Sequence, residues 1–182
     1  MKRVLLITVI AVFALSSFGQ KIKTDEVDKF TKERIVETSF EKIVSDKSPL
    51  GSTGGRLMKN IWVAFRQVGD VTFLRLKWCT NQVLALSENA DIIFLDSDGN
   101  TYTFKNTDFT VSGQGEGTVG AFGSALYGLN IYMVGDCSVL KDKTITDMRI
   151  HLTDGYMDFQ LNKKDAKVLA DTFALFESAL KN

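Results

Sequence analysis

The chain has 182 residues, with 22 basic and 22 acidic side chains, one histidine, one proline and 45% hydrophobic residues. Balanced charge without a basic run argues against a surface that holds a phosphate backbone, so nucleic acid is not an expected partner. The apolar content and scarce proline argue against extensive disorder.

Residues 1–19 read as an export leader. Lys2 and Arg3 form a positive n-region, Val4 to Leu15 is apolar apart from Thr8, and Ser17-Phe18-Gly19 is a small-x-small cleavage site. The apolar run falls short of the roughly 20 residues of a membrane-spanning helix; the alternative is an uncleaved anchor. Gln20, not a cysteine, stands at the expected new N-terminus, which removes a bacterial lipid anchor, and no later segment has the length and apolarity of a span. Losing the leader leaves 20 basic against 22 acidic residues, a net charge of −2. The expectation is a periplasmic or extracellular protein with one domain over residues 20–182.

Along that domain the dominant period is two. Thr24 to Val44 is charged but alternating and reads as strands at a sheet edge, where charge discourages stray pairing. Ser45 to Gly55 reads as a mobile loop. Lys59–Gln67 and Thr72–Cys79 flank a Gly69-Asp70 turn, pairing Phe65 with Leu74, Val63 with Leu76 and Ile61 with Trp78 on one apolar face. The opposite face pairs Trp62 with Lys77, Ala64 with Arg75 and Arg66 with Phe73, a mixture suited to cation–π contacts. Asp91–Asp96 and Thr101–Lys105 flank an Asp-Gly turn; a four-residue loop sets Leu95 opposite Tyr102 and Ile93 opposite Phe104. Tyr127–Val134 reads as a strand with Leu129, Ile131 and Met133 on one face. Thr146–Leu152 and Met157–Leu161 form a third hairpin, with Leu152 opposite Met157, Ile150 opposite Phe159 and His151 opposite Asp158. The chain closes in a helix over about 163–180, N-capped by Asn162 with Asp165 at N3, and with Ala166, Leu169, Phe173, Phe176 and Leu180 along one side. The fold class is α+β: predominantly antiparallel β, sandwich-like or a partly closed sheet of hairpins, with one C-terminal helix packed on it.

Motifs with chemical meaning are few. Gly115-Glu116-Gly117-Thr118-Val119-Gly120 fits G-x-G-x-x-G, but no crossover helix follows, so the glycine-rich stretch 111–128 reads as a flexible connection between strands. Asp96-Ser97-Asp98-Gly99-Asn100 begins like a calcium loop but lacks glycine at the sixth position and glutamate at the twelfth, and a hairpin turn explains the same residues. Ser39-x-x-Lys42 and Ser138-x-x-Lys141 lack the partner motifs of a serine acyl-transfer site. One histidine and two cysteines cannot complete a tetrahedral zinc site without a carboxylate, and no cofactor is expected. Cys79 and Cys137 either form a disulfide, worth about 4 kcal/mol for so long a loop, or remain separate thiols.

The leader, the hairpins and the terminal helix together resemble the lipocalin layout in outline. The glycine-x-tryptophan signature of that family is missing, because Asn60-Ile61 precedes Trp62. The leading functional expectation is a non-enzymatic exported binding module, possible ligand residues being Phe65, Trp78, Tyr102 and Phe104 around a small apolar molecule. The first alternative is a protein-interaction or structural envelope module that docks through Trp62, Phe73 and Lys77. The second is a hydrolase in which Asp158 orients His151 as a general base.

Overall fold

The computed structural model describes residues 20–45, 59–113, 119–121 and 124–181. The leader and most of the Ser45–Gly55 loop lie outside them. In chain order the strands are β1 (Ile22–Val27), β2 (Arg34–Thr38), β3 (Glu41–Val44), β4 (Asn60–Val68), β5 (Val71–Thr80), β6 (Ala85–Leu86), β7 (Asp91–Asp96), β8 (Thr101–Asn106), β9 (Thr110–Val111), β10 (Val119–Ala121) and β11 (Ser124–Val134). A helical turn α1 (Val139–Asp142), β12 (Ile145–Leu152), β13 (Gly155–Gln160) and the terminal helix α2 (Lys163–Leu180) complete the fold.

The large sheet runs β1-β2-β4-β5-β11-β8-β7-β12-β13, with antiparallel pairing throughout. This order is not sequential, so the sheet is not the up-and-down meander of a lipocalin barrel. β3 continues β2 along the same edge of β4. Where the two strands break, the Thr38 hydroxyl takes over the ladder and accepts the Phe65 N–H at 3.0 Å. β10 folds back on β11 in place of the helix that a dinucleotide fingerprint requires after Gly120; residues 114–118 lie outside the described ones.

The junction of β11 with β8 is short, limited to Met133 opposite Asn106 and Val134 opposite Lys105. There the sheet turns back, and its two halves meet face to face. Trp78 of β5 packs edge-on against Phe159 of β13 with ring centroids 4.9 Å apart. The period-two pattern supplies the filling: Ile61, Val63, Phe65, Leu74, Leu76, Trp78, Leu129, Ile131 and Met133 are wholly buried on the inner face. α2 closes the open side against β2, β3 and β4. Asn162 caps it as expected, its Oδ1 accepting the N–H groups of Lys164 at 2.9 Å and Asp165 at 3.1 Å. Phe173 and Phe176 pack on Phe65 at 5.1 and 5.7 Å. Both outer edges of the sheet carry charge: Lys23, Asp25 and Glu26 on β1, and on β13 the Lys59 ammonium, which donates to the Asp158 carbonyl at 3.0 Å.

The first hairpin has the expected register. The second is offset by one residue, so that Phe94 faces Tyr102 and Ile92 faces Phe104. The cause is the turn. The Asp96 N–H donates to the Asn100 carbonyl at 3.0 Å, and Gly99 donates to the Asp96 carbonyl at 3.2 Å and adopts φ +87°, so the turn holds three residues closed by a glycine bulge where the expected loop holds four. The third hairpin is tighter by two residues than expected, with Leu152 opposite Gly155, Ile150 opposite Met157 and Met148 opposite Phe159. An even offset preserves the side of the pleat, so the same apolar residues still face inward.

Two tests follow from this framework. The Asp96 carboxylate is buried and accepts the N–H groups of Asp98 and Asn100, the Asn100 amide and, at 2.7 Å, the Tyr102 hydroxyl. Burial alone pushes this carboxyl up, but the bonds from Tyr102, Asn100 and Asp98 outweigh it and hold it well below the usual range. A depressed folded-state value stabilises the protein at neutral pH, and that contribution is lost as pH falls below about 4. Asp96→Asn therefore lowers the urea midpoint at pH 7, and its gap to the parent narrows on acidification; a gap independent of pH contradicts this. Gly135 approaches a core ring so closely that an added Cβ lies 2.6 Å from Phe104 Cδ1. Phe104 is itself packed on Phe94 at 5.4 Å. Gly135→Ala is expected to cost about 1–3 kcal/mol by overpacking, measured by urea unfolding.

Candidate functional site

Strands whose inner side is filled with aliphatic and aromatic residues present the alternate residues outward. On β4, β5 and β11 these make two registered rows, Trp62–Lys77–Asn130 and Ala64–Arg75–Tyr132, and β4 and β5 add the pair Arg66–Phe73. The β2–β3 edge adds Glu37 opposite Arg66 and Lys42 opposite Trp62. Trp62, Phe73 and Lys77, singled out as an interaction face, do share one side of the sheet.

Cations and rings alternate across this side. The Lys42 ammonium lies 5.1 Å from the Trp62 ring and that of Lys77 lies 5.2 Å from Phe40. The Arg75 guanidinium is held between Tyr132 at 4.3 Å and Phe40 at 5.0 Å. Phe73 meets Tyr132 edge-on at 6.1 Å. Beneath them Glu37, only 2% exposed, accepts from Arg66 at 2.9 Å, from Arg75 and, at 3.5 Å, from Lys23. Lys23, Arg66 and Arg75 thus share the carboxylate of Glu37, while Lys42 and Lys77 lie over the neighbouring Trp62 and Phe40 rings. Arg75 is largely buried, and its Nε has no hydrogen-bond partner. The patch combines cationic side chains with planar apolar surface on the sheet.

The residues proposed for a small apolar ligand are distributed differently. Phe65, Trp78 and Phe104 are at most 1% exposed, and each packs on another ring: Phe173 and Phe176, Phe159, and Phe94 respectively. Tyr102 is half-buried and committed to Asp96.

The register of the third hairpin separates the expected His151–Asp158 pair. His151 lies opposite Tyr156, with ring centroids 6.0 Å apart. Asp158 lies opposite Arg149 and is gripped by its guanidinium at 2.7 and 2.8 Å. Arg149, with lesser help from Lys59 and His151, lowers the Asp158 carboxyl, and no hydrogen bond joins Asp158 to the imidazole. The tight turn after Leu152 is the reason: it moves each partner two positions from the place a longer loop dictates.

Cys79 and Cys137 are free thiols. Cys79 follows Trp78 and so projects from the outer side of β5, whereas Cys137 is buried among the core side chains. Burial raises both thiols; Cys137 is pushed up to about 12, with Asp136 adding to the effect. Neither is a thiolate nucleophile at neutral pH.

Phe40, Tyr132 and Glu37 complete the cationic face, and sequence reasoning missed them as site residues. Tyr132 was readable, because it alternates with Ile131 and Met133. Glu37 and Phe40 required knowing that the β2–β3 edge lies beside β4. No protein-family model, curated protein or solved structure matches the chain. The site therefore rests on its own geometry. Removing the buried carboxylate leaves Arg75 and Arg66 uncompensated, so Glu37→Ala is expected to destabilise the fold by about 3 kcal/mol. A urea midpoint within error of the parent rules out that role.

Proposed function

We propose that this chain is an exported, non-enzymatic binding module that docks an acidic protein segment on the outer side of β3, β4, β5 and β11. The observation that carries the reading is the alternation of cations with rings on this side: Lys42 over Trp62, Lys77 over Phe40, and Arg75 between Phe40 and Tyr132, with Phe73 edge-on to Tyr132. Aromatic residues and arginine are the side chains that most often dominate protein interfaces, because they bury much area at low entropic cost. Cationic side chains set between the rings steer a carboxylate-rich partner and fix its register. Trp62, Phe73 and Lys77 are half-buried on a strand surface, which suits contact with a segment of protein. Export rests on the leader-like residues 1–19.

Immobilised poly-L-glutamate serves as the probe. The protein is expected to be retained at low salt and released as salt screens the contact. Trp62→Asp and Lys77→Glu each lower the salt needed for release while leaving the urea midpoint within about 0.5 kcal/mol of the parent, as surface changes do. Passage through the column at low salt, or variants that elute with the parent, removes this reading. Fractionation of the native host tests export: a product trimmed near Gln20 outside the cytosol supports it, and an untrimmed cytosolic product removes it.

A further inference from the structure

The other half of the sheet carries a groove of different character. It has a volume of about 410 Å³ and is lined by Ile93, Leu95, Thr101, Asp147, Met148, Arg149 and Asp158. That volume falls in the range of pockets for small organic molecules, roughly 300–1,000 Å³. Its floor is β7, where Ile93 and Leu95 alternate with the buried Ile92 and Phe94 and are half-buried.

The charges around this floor are all matched except one. Asp158 is held by Arg149 at 2.7 and 2.8 Å, and Arg149 also covers the Tyr156 ring at 3.9 Å. Asp91, next along β7, pairs with Lys105. The Asp147 carboxylate alone of these has neither an ion pair nor a hydrogen bond among the described residues. A local irregularity sets its position. The β12–β7 register shifts between Ile145 and Asp147, and the Thr146 hydroxyl donates to the Leu95 carbonyl at 3.3 Å in place of a ladder bond. Bulges of this kind re-aim a side chain and recur beside binding sites. Asp147 also borders a second cavity of about 620 Å³ that includes Lys164 and Asp165 at the start of α2, yet no ion pair joins Lys164 to it.

We propose that this groove binds a small organic cation with an apolar tail, the ammonium held by Asp147 and the tail lying on Ile93 and Leu95. The half-buried carboxylate supplies an attraction that Arg149 and Lys105 cannot cancel, since each is already committed to its own acid. The aliphatic floor supplies the rest in proportion to the area it removes from water. The site is independent of the cationic side of the sheet and survives the failure of the docking proposal.

Alkylammonium and alkylcarboxylate ions of matched length test the idea by NMR titration of the full chain. Hexylammonium is expected to shift the methyl resonances of Ile93, Leu95 and Met148. Affinity should rise by about three- to fourfold per added methylene, the equivalent of the hydrophobic gain per CH₂. Hexanoate should bind at least tenfold more weakly. Asp147→Asn, an isosteric change that keeps the packing, should lower hexylammonium affinity at least tenfold and abolish the preference for cation over anion. No shift with hexylammonium, equal response to hexanoate, or an unchanged affinity in Asp147→Asn each overturns the proposal.

Discussion

The short splice between β11 and β8 governs the shape of the molecule. Two residue pairs cannot hold two long strand arrays in one plane, so the sheet turns and brings Trp78 against Phe159. Once the halves face each other, one side of every long strand is committed to a dry interior and the other to the exterior. The helix then has a single open side to close, and it does so with the Phe65, Phe173 and Phe176 cluster. Both candidate surfaces are consequences of this turn. Each is the outer side of one half, and each took its character from the residues that the inner packing left free.

The two outer sides differ in chemistry. The β4–β5–β11 side concentrates cations over aromatic rings and buries one glutamate among them. The β7–β12–β13 side pairs its arginine and lysine internally and leaves one aspartate over aliphatic carbon. A chain with 22 charges of each kind is neutral in total, yet the fold sorts those charges so that each side has its own chemistry. Composition alone argued against a basic surface. The basic side exists because residues from β1, β2, β3, β4 and β5 converge on it, and no contiguous run announces it.

Alternation proved a sound guide to facing and a weaker guide to register. Phe65, Leu76 and Ile131 were placed on the interior by period two, and all three are buried. Asn162 and the stripe from Ala166 to Phe176 located the helix to within its cap. Register depends on turn geometry, and there a single residue matters. At Gly99 the bulge shifted the second hairpin by one and gave Phe94 rather than Leu95 to Tyr102. After Leu152 the tighter turn moved Asp158 from His151 to Arg149. The first case changes which side chains meet; the second dissolves a would-be acid–base pair while leaving the core untouched. The cationic side was half legible for the same reason. Trp62, Arg66, Phe73, Arg75 and Lys77 follow from one hairpin, whereas Glu37, Phe40 and Lys42 come from β2, β3 and the link between them, whose neighbour is set by long-range topology.

The treatment of the outermost strands has a consequence for how such a chain behaves when crowded. At one border the Lys59 ammonium occupies a main-chain oxygen of β13, and at the other Lys23, Asp25 and Glu26 ring β1 with charge. A stray extended segment approaching either border meets a ligated carbonyl or an ion to be desolvated before it finds a ladder to join. The sheet can therefore carry a broad aromatic surface between its borders and still resist growing into a fibre.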